Sequence, residues 1–279
     1  MTYVVTATSG HLGKLVVESL LARGIAPAEI LATARDTAKI ADLGVPTAVI
    51  DYAAPETITA AVKPGDVFLL VSASVPGTRV PLHVAAIDAA KAAGVSRIVY
   101  TSAPAATTSA LLLAPEHKAT EEHLLASGVP FTILRNGWYT ENYAGTVETA
   151  RETGAIVASV GEGRVSSASR KDYADAAAVA LTDDSLAGQT FELSGDYAWS
   201  FAELASAAAE VTGRDVVYTP VSPEEHAEIL TSAGLDEGTV GFVVGLDGNI
   251  RDGLLGVTTG DLSRLIGRPT TPLIEGLKG

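Results

Sequence analysis

The sequence predicts an α/β protein built on a doubly wound parallel sheet, with a smaller C-terminal portion. Two observations support this prediction. Short runs of β-branched and other apolar residues alternate with Ala- and Leu-rich amphipathic stretches in the first half of the chain, which is typical of repeated strand–helix–strand units. A short segment containing glycine also connects the first predicted strand to the first predicted helix, where such sheets bind phosphate groups.

Six strands are predicted from short apolar runs, at residues 3–6, 30–34, 45–50, 67–71, 97–101 and 131–134. Helices are predicted between them at residues 11–23, 37–43, 55–62, 81–93 and 116–126. In the first helix, Leu12, Leu15 and Val16 recur at helical spacing on one face. Gly94 and Gly128 follow two of the helices, where a left-handed C-cap favours glycine. Right-handed crossovers then make the strands parallel.

After about residue 135 the predicted strands become fewer and Gly, Ser and Thr more common. Helices are predicted at residues 172–181, 201–211 and 224–233, with a short strand at 190–193. We therefore divide the chain into a nucleotide-binding domain, residues 1–135, and a smaller substrate-binding portion, residues 136–279. Some elements of the second portion are expected to return to the sheet.

Composition excludes several classes of function. The chain of 279 residues has a net charge of −14, and an acidic chain without a basic run is repelled by nucleic acid. It contains no cysteine, which excludes disulfides, thiolate metal sites and cysteine nucleophiles. Its apolar runs are shorter than the roughly 20 residues of a membrane span, and its first residues lack a signal-peptide pattern. We expect a cytoplasmic protein that binds neither membrane nor nucleic acid, in an oligomeric state that the sequence leaves open.

The segment after the first strand predicts a phosphate-binding loop. Gly10 allows the backbone to approach a pyrophosphate closely, Gly13 allows the helix to pack on the sheet, and the helix N-terminus offers free N–H groups. The usual pattern has glycine where this chain has Ala7, and an ordinary tight turn is the alternative. The predicted cofactor-binding residues of the loop are Ala7, Thr8, Ser9, Gly10, His11, Leu12 and Gly13.

The end of the second strand indicates which cofactor is bound. Arg35 lies 22 residues beyond Gly13, where an acidic residue would bind the ribose of NAD and a basic one accommodates the 2′-phosphate of NADP. Arg35 therefore favours NADPH, with NADH possible, unless it is only a solvated charge. Asp36 can instead cap the next helix or bind a hydroxyl. Small residues after the fourth strand, Ser72, Ala73 and Ser74, let the nucleotide pass over the backbone.

Several familiar catalytic arrangements are missing from the sequence. A Tyr–Lys dyad needs lysine four residues after tyrosine, and none of the eight tyrosines has one there. Serine hydrolase chemistry lacks its Gly-x-Ser-x-Gly turn. His117 and His123 are six residues apart, which is not a metal-binding spacing on a helix, so no metal is expected. The remaining chemistry is hydride transfer by a bound cofactor.

The segment from residue 134 to 143, Leu-Arg-Asn-Gly-Trp-Tyr-Thr-Glu-Asn-Tyr, resembles the NmrA-like atypical short-chain reductases. Within them, the similarity is greatest to the bacterial NAD(P)H:quinone oxidoreductases of type 2, with the triphenylmethane dye reductases as a sister branch. Further similar segments are residues 92–95, 100–102, 167–174, 195–199 and 265–271. They extend over nearly the whole chain.

This resemblance implies a Rossmann-like fold and NADPH-dependent reduction of quinones. It implies that residues 8–13 bind the pyrophosphate and that Arg35 meets the 2′-phosphate. It also implies that the segment from Asn136 to Asn142 lies near the nicotinamide and the quinone. The predicted cofactor-binding residues outside the loop are accordingly Arg35, Ser72, Ala73, Ser74, Thr101, Asn136, Gly137, Trp138 and Asn142.

The predicted catalytic residues are His117, Asn136, Trp138 and Tyr139. By the resemblance, His117 falls where related plant reductases have a lysine, and histidine can act as an acid or base. The alternative for His117 is an exposed helix residue, because water can protonate a reduced quinone. Trp138 and Tyr139 can stack on a planar acceptor or pack in the core. Asn136 can bind a carboxamide or carbonyl, or support a turn.

Three readings of function remain open from the sequence. The first is a flavin-free NADPH:quinone reductase that transfers hydride directly. The second is a reductase of another flat electrophile, such as a triarylmethane dye, an enone or an aldehyde. The third is a redox sensor that binds NADP without turnover, which the missing Tyr–Lys dyad allows.

Overall fold

The computed structural model describes residues 1–75 and 77–278. Its strands are β1 (Tyr3–Val5), β2 (Ile30–Ala34), β3 (Thr47–Val49), β4 (Val67–Leu70), β5 (Arg97–Ser102), β6 (Phe131–Asn136), β7 (Ala155–Ala158), β8 (Arg164–Val165), β9 (Gln189–Leu193), β10 (Trp199–Ser200) and β11 (Val217–Pro220). Seven of them form one parallel sheet in the order β3-β2-β1-β4-β5-β6-β9. The predicted doubly wound α/β fold is therefore confirmed. The strand order reverses between β1 and β4, which opens a crevice at their carboxyl ends.

Helices cover both faces of this sheet. They are α1 (His11–Ala22), α2 (Glu56–Ala61), α3 (Arg79–Ala92), α4 (Ala114–Ser127), α5 (Ala144–Thr153), α6 (Arg170–Thr182), α7 (Phe201–Thr212), α8 (Pro223–Ser232), α9 (Glu237–Arg251), α10 (Asp261–Ile266) and α11 (Leu273–Lys278). The start of α6 is fixed by a capping box, in which Ser169 and Asp172 each accept from the other's backbone N–H. This cap matters because α6 begins beside the crevice.

The alternation of side chains along the strands divides the core between the two faces of the sheet. Val5 and Leu69 lie in a cluster with residues of α1 and α6. Val4 and Phe68 lie in a second cluster with residues of α3. A third cluster, which includes Trp199, is formed mainly by residues of the C-terminal half of the chain. The crevice therefore has a closely packed support on both sides.

Several elements differ from the sequence prediction. Thr37–Leu43 is a 3₁₀ helix, with Asp36 as its N-cap, rather than an α-helix. The sequence patterns did not predict four helices and four strands, which are α5, α9, α10, α11, β7, β8, β10 and β11. β7 and β11 pair with each other in a separate two-stranded sheet. None of the helices in the described residues has the length and apolar character needed to cross a membrane.

Candidate functional site

A cavity of about 480 Å³ occupies the crevice between β1 and β4; we call it the loop cavity. It is lined by the residues that follow four strand ends. These are Ala7, Ser9, Gly10, His11, Leu12, Gly13, Ala34, Arg35, Ile50, Asp51, Tyr52, Val71, Ser72, Ala73, Ser74 and Val75, together with Leu82 and Arg170. Most of the predicted cofactor-binding residues therefore surround one cavity.

The backbone of the loop forms a tight turn into α1. Ala7 has a φ of +53°, in the left-handed region, and its carbonyl oxygen accepts the N–H of Gly10 at 2.9 Å. A Cβ at residue 13 would stand 2.6 Å from that same oxygen, so only glycine fits there. Gly10 is the N-cap of α1 and offers no side chain to its N–H groups. These groups and the helix dipole favour an anion at this position.

Two residues near the loop have side chains that turn away from the cavity. Thr8 is 1% exposed, and its hydroxyl donates to the carbonyl of Thr33 at 2.9 Å. Thr101 is also buried, and its hydroxyl oxygen accepts the N–H of Ser72 at 2.9 Å. The hydroxyl of Thr8 thus joins the loop to β2, and the hydroxyl of Thr101 joins β5 to the segment after β4.

The tip of β2 contributes a cation to the loop cavity. Arg35 lines the cavity and is exposed. The carboxylate of Asp36 accepts the N–H of Ala38 at 3.1 Å and caps the 3₁₀ helix. The carboxylate of Asp36 is therefore already hydrogen-bonded to the backbone, whereas the guanidinium of Arg35 lies at the cavity, where it can contact a phosphate.

A second cavity, of about 540 Å³, lies beyond the first; we call it the aromatic cavity. It brings together all four predicted catalytic residues, His117, Asn136, Trp138 and Tyr139. Its remaining lining residues are Ser72, Ser74, Arg79, Ser102, Ala103, Pro104, Leu111, Leu113, Gly137, Asn142, Arg170, Phe242, Leu246 and Leu255. The cavity is thus formed between the end of the sheet and helix α9.

Ser72, Ser74 and Arg170 line both cavities, so a long ligand can extend from one into the other past these three residues. Arg170 is the first residue of α6. Its guanidinium lies over the ring of Tyr139, at 5.1 Å from the centroid, and donates to the Oδ1 atom of Asn142 at 2.9 Å. Arg170 therefore holds a positive charge beside two of the predicted site residues.

Two side chains of α3 hold the backbone of Ala73 between the cavities. The N–H of Ala73 donates to Nε2 of His83 at 2.9 Å, and Nε of Arg79 donates to the carbonyl of Ala73 at 2.7 Å. Both side chains are buried. Both the N–H and the carbonyl of Ala73 are therefore fixed by side chains of α3, in the segment that a bound nucleotide would cross.

His117 is buried, at 5% exposure, so the alternative interpretation as an exposed helix residue is wrong. Its Nδ1 lies 2.8 Å from the hydroxyl of Tyr100, and its Nε2 lies 3.3 Å from Nη1 of Arg79. Because arginine only donates, Nε2 must accept and the ring must be neutral. Burial and then the charge of Arg79 lower the pKa of His117 to about 3.

Asn136 and Tyr139 present polar atoms to the aromatic cavity. Nδ2 of Asn136 donates to the hydroxyl of Tyr139 at 3.3 Å. Oδ1 of Asn136 is buried without a partner in the described residues, and a buried acceptor of this kind requires a donor from a ligand or water. Burial raises the pKa of Tyr139, so its phenol remains protonated and can donate to an oxygen.

Gly137 lies where the backbone of β6 leaves the sheet. A Cβ at this position would be 2.7 Å from the carbonyl of Leu193 and 2.9 Å from the hydroxyl of Tyr173. Glycine therefore allows the segment that carries Trp138 to pass close to β9.

Sequence patterns did not identify Arg79, His83 and Arg170 as site residues. Arg170 belongs to residues 167–174, which resemble the corresponding segment of the reductases. This resemblance was the feature of the sequence that could have identified Arg170. The roles of Arg79 and His83 depend on contacts with Ala73 across a helix and a loop, which no local pattern encodes. Among the described residues, no cluster of His, Asp and Glu is suited to bind a metal.

Residues 8–184 match a family model described as NAD(P)H-binding. The chain is 39% identical to quinone oxidoreductase 2 of Escherichia coli over 276 residues, which is 98% of this chain and 96% of that protein. It is 32% identical to the NAD(P)H azoreductase of Xenophilus azovorans over 238 residues, 84% of this chain and 82% of that protein.

Two solved structures have closely similar folds. One is the NADPH-dependent quinone oxidoreductase of E. coli complexed with NADPH, with a TM-score of 0.93, 40% identity and coverage of 99% of this chain and 98% of that one. The other is the triphenylmethane reductase of Citrobacter sp. complexed with NADP(H), with a TM-score of 0.93, 35% identity and coverage of 99% of both chains.

Proposed function

Because the chain belongs to the NAD(P)H-binding family, we propose that it is an NADPH-dependent reductase that transfers hydride directly to a quinone. The observation that supports this proposal most strongly is the meeting of two cavities at Ser72, Ser74 and Arg170. One cavity has the features of a dinucleotide site, and the other is lined by aromatic and amide side chains. The quinone and azo reductases among its relatives support the same type of reaction.

The residues present fit NADPH. The α1 N-terminus and the small residues of the loop accommodate a pyrophosphate, and Arg35 is placed for the 2′-phosphate. The unpartnered Oδ1 of Asn136 suits the N–H donor of a carboxamide. When bound, the reduced nicotinamide supplies the hydride. The protein contributes binding and orientation.

In the aromatic cavity, we propose that Trp138 and Tyr139 hold the flat ring of the acceptor. Tyr139 keeps its proton because burial raises its pKa, and its hydroxyl can donate a hydrogen bond to a quinone oxygen as negative charge develops there. Arg170, beside Tyr139, adds positive charge at the same place. These groups favour the reduced, anionic oxygen over the neutral one.

The contribution of His117 is proposed to be that of a neutral ring. Its two nitrogens face Tyr100 and Arg79, and Arg79 in turn holds Ala73. His117 can therefore orient the floor of the cavity without transferring a proton. A role as general acid is the alternative, and the pH dependence of kcat distinguishes the two roles.

We propose that the two halves of the chain have different roles in binding. Residues 1–135 provide the nucleotide-binding loop, and residues 136–279 provide Trp138, Tyr139 and Arg170 to the acceptor site, while β9 joins the sheet beside β6. We also propose a cytoplasmic location, where NADPH is regenerated. The physiological partner is a small quinone-like molecule.

Triarylmethane dyes and azo compounds are a second class of candidate acceptor. The aromatic cavity, at about 540 Å³, is large for a single quinone ring, and relatives include an azoreductase and a triphenylmethane reductase. The same hydride transfer serves either class of acceptor.

The test is the loss of reduced-nicotinamide absorbance when 1,4-benzoquinone is added to the protein with NADPH or NADH, corrected for the uncatalysed reaction. We expect catalysed oxidation that is faster with NADPH. Gly10→Val is the control, because a Cβ at residue 10 already lies 3.3 Å from the Ala7 carbonyl and the larger side chain fills the phosphate position. A stable NADPH complex that reduces no acceptor would favour the sensor reading, and absence of NADPH binding would overturn the proposal.

A further inference from the structure

We propose that the acceptor site has a second compartment, beside Trp138, which receives an apolar substituent carried by the acceptor ring. This inference rests on the proposed reductase function and specifies its substrate class. It is carried by a third cavity, of about 230 Å³, which we call the side cavity. Its lining residues are Pro104, Ala105, Gly137, Trp138, Ser166, Glu192, Leu193, Ser194, Leu254, Leu255, Val257 and Thr259.

The side cavity adjoins the aromatic cavity. Pro104, Gly137, Trp138 and Leu255 line both. Gly137 and Trp138 are neighbours in the chain, so the wall that the two cavities share is continuous at the indole. A substituent on an acceptor ring that contacts Trp138 therefore has a direct route into the side cavity.

The three hydroxyl groups in the lining of the side cavity already have partners within the protein. The hydroxyl of Ser166 lies 3.0 and 2.7 Å from the carbonyl oxygens of Leu255 and Val257. Ser194 accepts the N–H of Thr259 at 3.0 Å, and the hydroxyl of Thr259 donates to the carbonyl of Glu192. A polar ligand group would have to displace these bonds, whereas an apolar group leaves them intact.

The charged side chain in the lining is also occupied. One carboxylate oxygen of Glu192 is 2.7 Å from Nη1 of Arg135, and the other accepts the N–H of Ala105 at 2.9 Å. Arg135 is paired in addition with Glu121 at 2.7 Å. Both carboxylate oxygens of Glu192 therefore already have donors within the protein, so the cavity does not call for a charged substituent.

The rim of the side cavity has two features of a ligand site rather than of a packing defect. Ala105 has a φ of +44°, a strained conformation for alanine that is held by its bond to Glu192, and strained backbone concentrates at functional sites. Val257 is 64% exposed although it lines the cavity. An apolar side chain left exposed at a cavity mouth gains free energy when an apolar ligand covers it.

The experiment compares kcat/KM for 1,4-benzoquinone with that for 2-alkyl-1,4-benzoquinones of increasing chain length and for the 2-phenyl derivative. We expect kcat/KM to rise about fourfold for each methylene until the cavity is filled. An increase with the alkyl series alone indicates a narrow compartment, and an increase with the phenyl derivative too indicates one that accepts an aryl ring. Each of these results supports the compartment.

Val257→Phe places a ring in the side cavity and is expected to abolish the dependence on chain length while leaving kcat/KM for 1,4-benzoquinone within twofold. Val217→Phe is the matched control, because Val217 is similarly exposed, at 61%, but lies in β11. A chain-length dependence that is absent in the wild type, or that persists in Val257→Phe, overturns the inference.

A second readout works without turnover and separates this inference from the proposed function. Binding of n-butylbenzene is followed by saturation-transfer NMR in the wild type, Val257→Phe and Val217→Phe. We expect binding in the wild type and in Val217→Phe, and its loss in Val257→Phe. If benzoquinone is not reduced, the reductase proposal fails, and this binding result alone decides whether the compartment exists. Equal binding to all three proteins overturns it.

Discussion

The carbonyl oxygen of Ala7 accepts the backbone N–H of Gly10 at 2.9 Å, and Ala7 itself has a φ of +53°. The turn into α1 thus forms with an alanine in a conformation that glycine adopts at no steric cost. The methyl group of Ala7 would cause no strain in the β or right-handed α region. At a φ of +53° it does.

Ala7→Gly is therefore expected to stabilise the protein by about 1 kcal/mol, since relief of left-handed strain exceeds the entropy that glycine adds to the unfolded chain. It should also tighten NADPH binding, because residue 7 lines the loop cavity. Urea denaturation and calorimetric titration measure the two effects. Ala105→Gly is the matched control: its φ is +44°, so we expect similar stabilisation without a change in NADPH affinity. A destabilised Ala7→Gly protein would contradict the assigned turn.

Arg35→Ala is expected to weaken NADPH binding by roughly tenfold to a hundredfold, the effect of losing a charge-assisted hydrogen bond. NADH binding should change much less, because NADH lacks the 2′-phosphate. Calorimetric dissociation constants for both cofactors provide the measurement. Arg23→Ala, at the C-terminal end of α1, serves as a control for the loss of one positive charge. Equal losses for NADPH and NADH would show that Arg35 does not select the cofactor.

Trp138→Ala is expected to raise the KM for benzoquinone about tenfold through the loss of aromatic contact. The KM for NADPH, measured in the same assay, should change by less than about twofold. Thermal denaturation distinguishes the competing interpretation of Trp138 as a core residue. Under that interpretation the protein loses several kcal/mol of stability and the quinone KM stays constant.

His83 and His117 should make the protein less stable in acid. Burial and then Arg79 lower the pKa of both rings to about 3, from an ordinary value of 6.5. Between these two pH values the unfolded chain binds protons that the folded chain excludes, so the free energy of unfolding falls as the pH is lowered from 6.5 towards 3. Above pH 6.5 this contribution is fully present. Each ring accounts for roughly 1.4 kcal/mol per pH unit in the middle of this range.

His117→Gln is the variant that tests this pH dependence. Urea denaturation at pH 7.5, 6 and 5 should show a slope reduced by about one proton relative to the wild type. The pH profile of kcat should contain no step near 6.5 in either protein. A step that is present in the wild type and absent from His117→Gln would instead identify His117 as a general acid.

The fold and the loop cavity were accessible from the sequence because their signals are local. Strands and helices follow from apolar periodicity, and Gly10 and Gly13 lie directly between the first strand and helix. The segment from Asn136 to Tyr139 was found from its resemblance to known reductases. It lines the cavity next to the one formed by the loop.

Other features depended on contacts that a linear pattern does not contain. The bonds from Arg79 and His83 to Ala73 join a helix to a loop that precedes it. Helix α9 was missed because it contains Gly238, Gly241, Gly245 and Gly248, and glycine has a poor intrinsic helix propensity. Tertiary contacts compensate: Asp247 of α9 accepts the N–H of Ser159 at 2.6 Å.

The hydrogen bonds of the neutral His117 ring leave no proton for transfer to an acceptor in the aromatic cavity. Its Nδ1–H donates to Tyr100, and its Nε2 accepts from Arg79. The neighbouring ring of His83 accepts from Ala73 through Nε2 and lies 3.0 Å from the hydroxyl of Thr120 through Nδ1. The one proton of each neutral ring is thus directed to a partner within the protein. We therefore expect a reduced acceptor to take its proton from water that enters the aromatic cavity and not from the buried histidines.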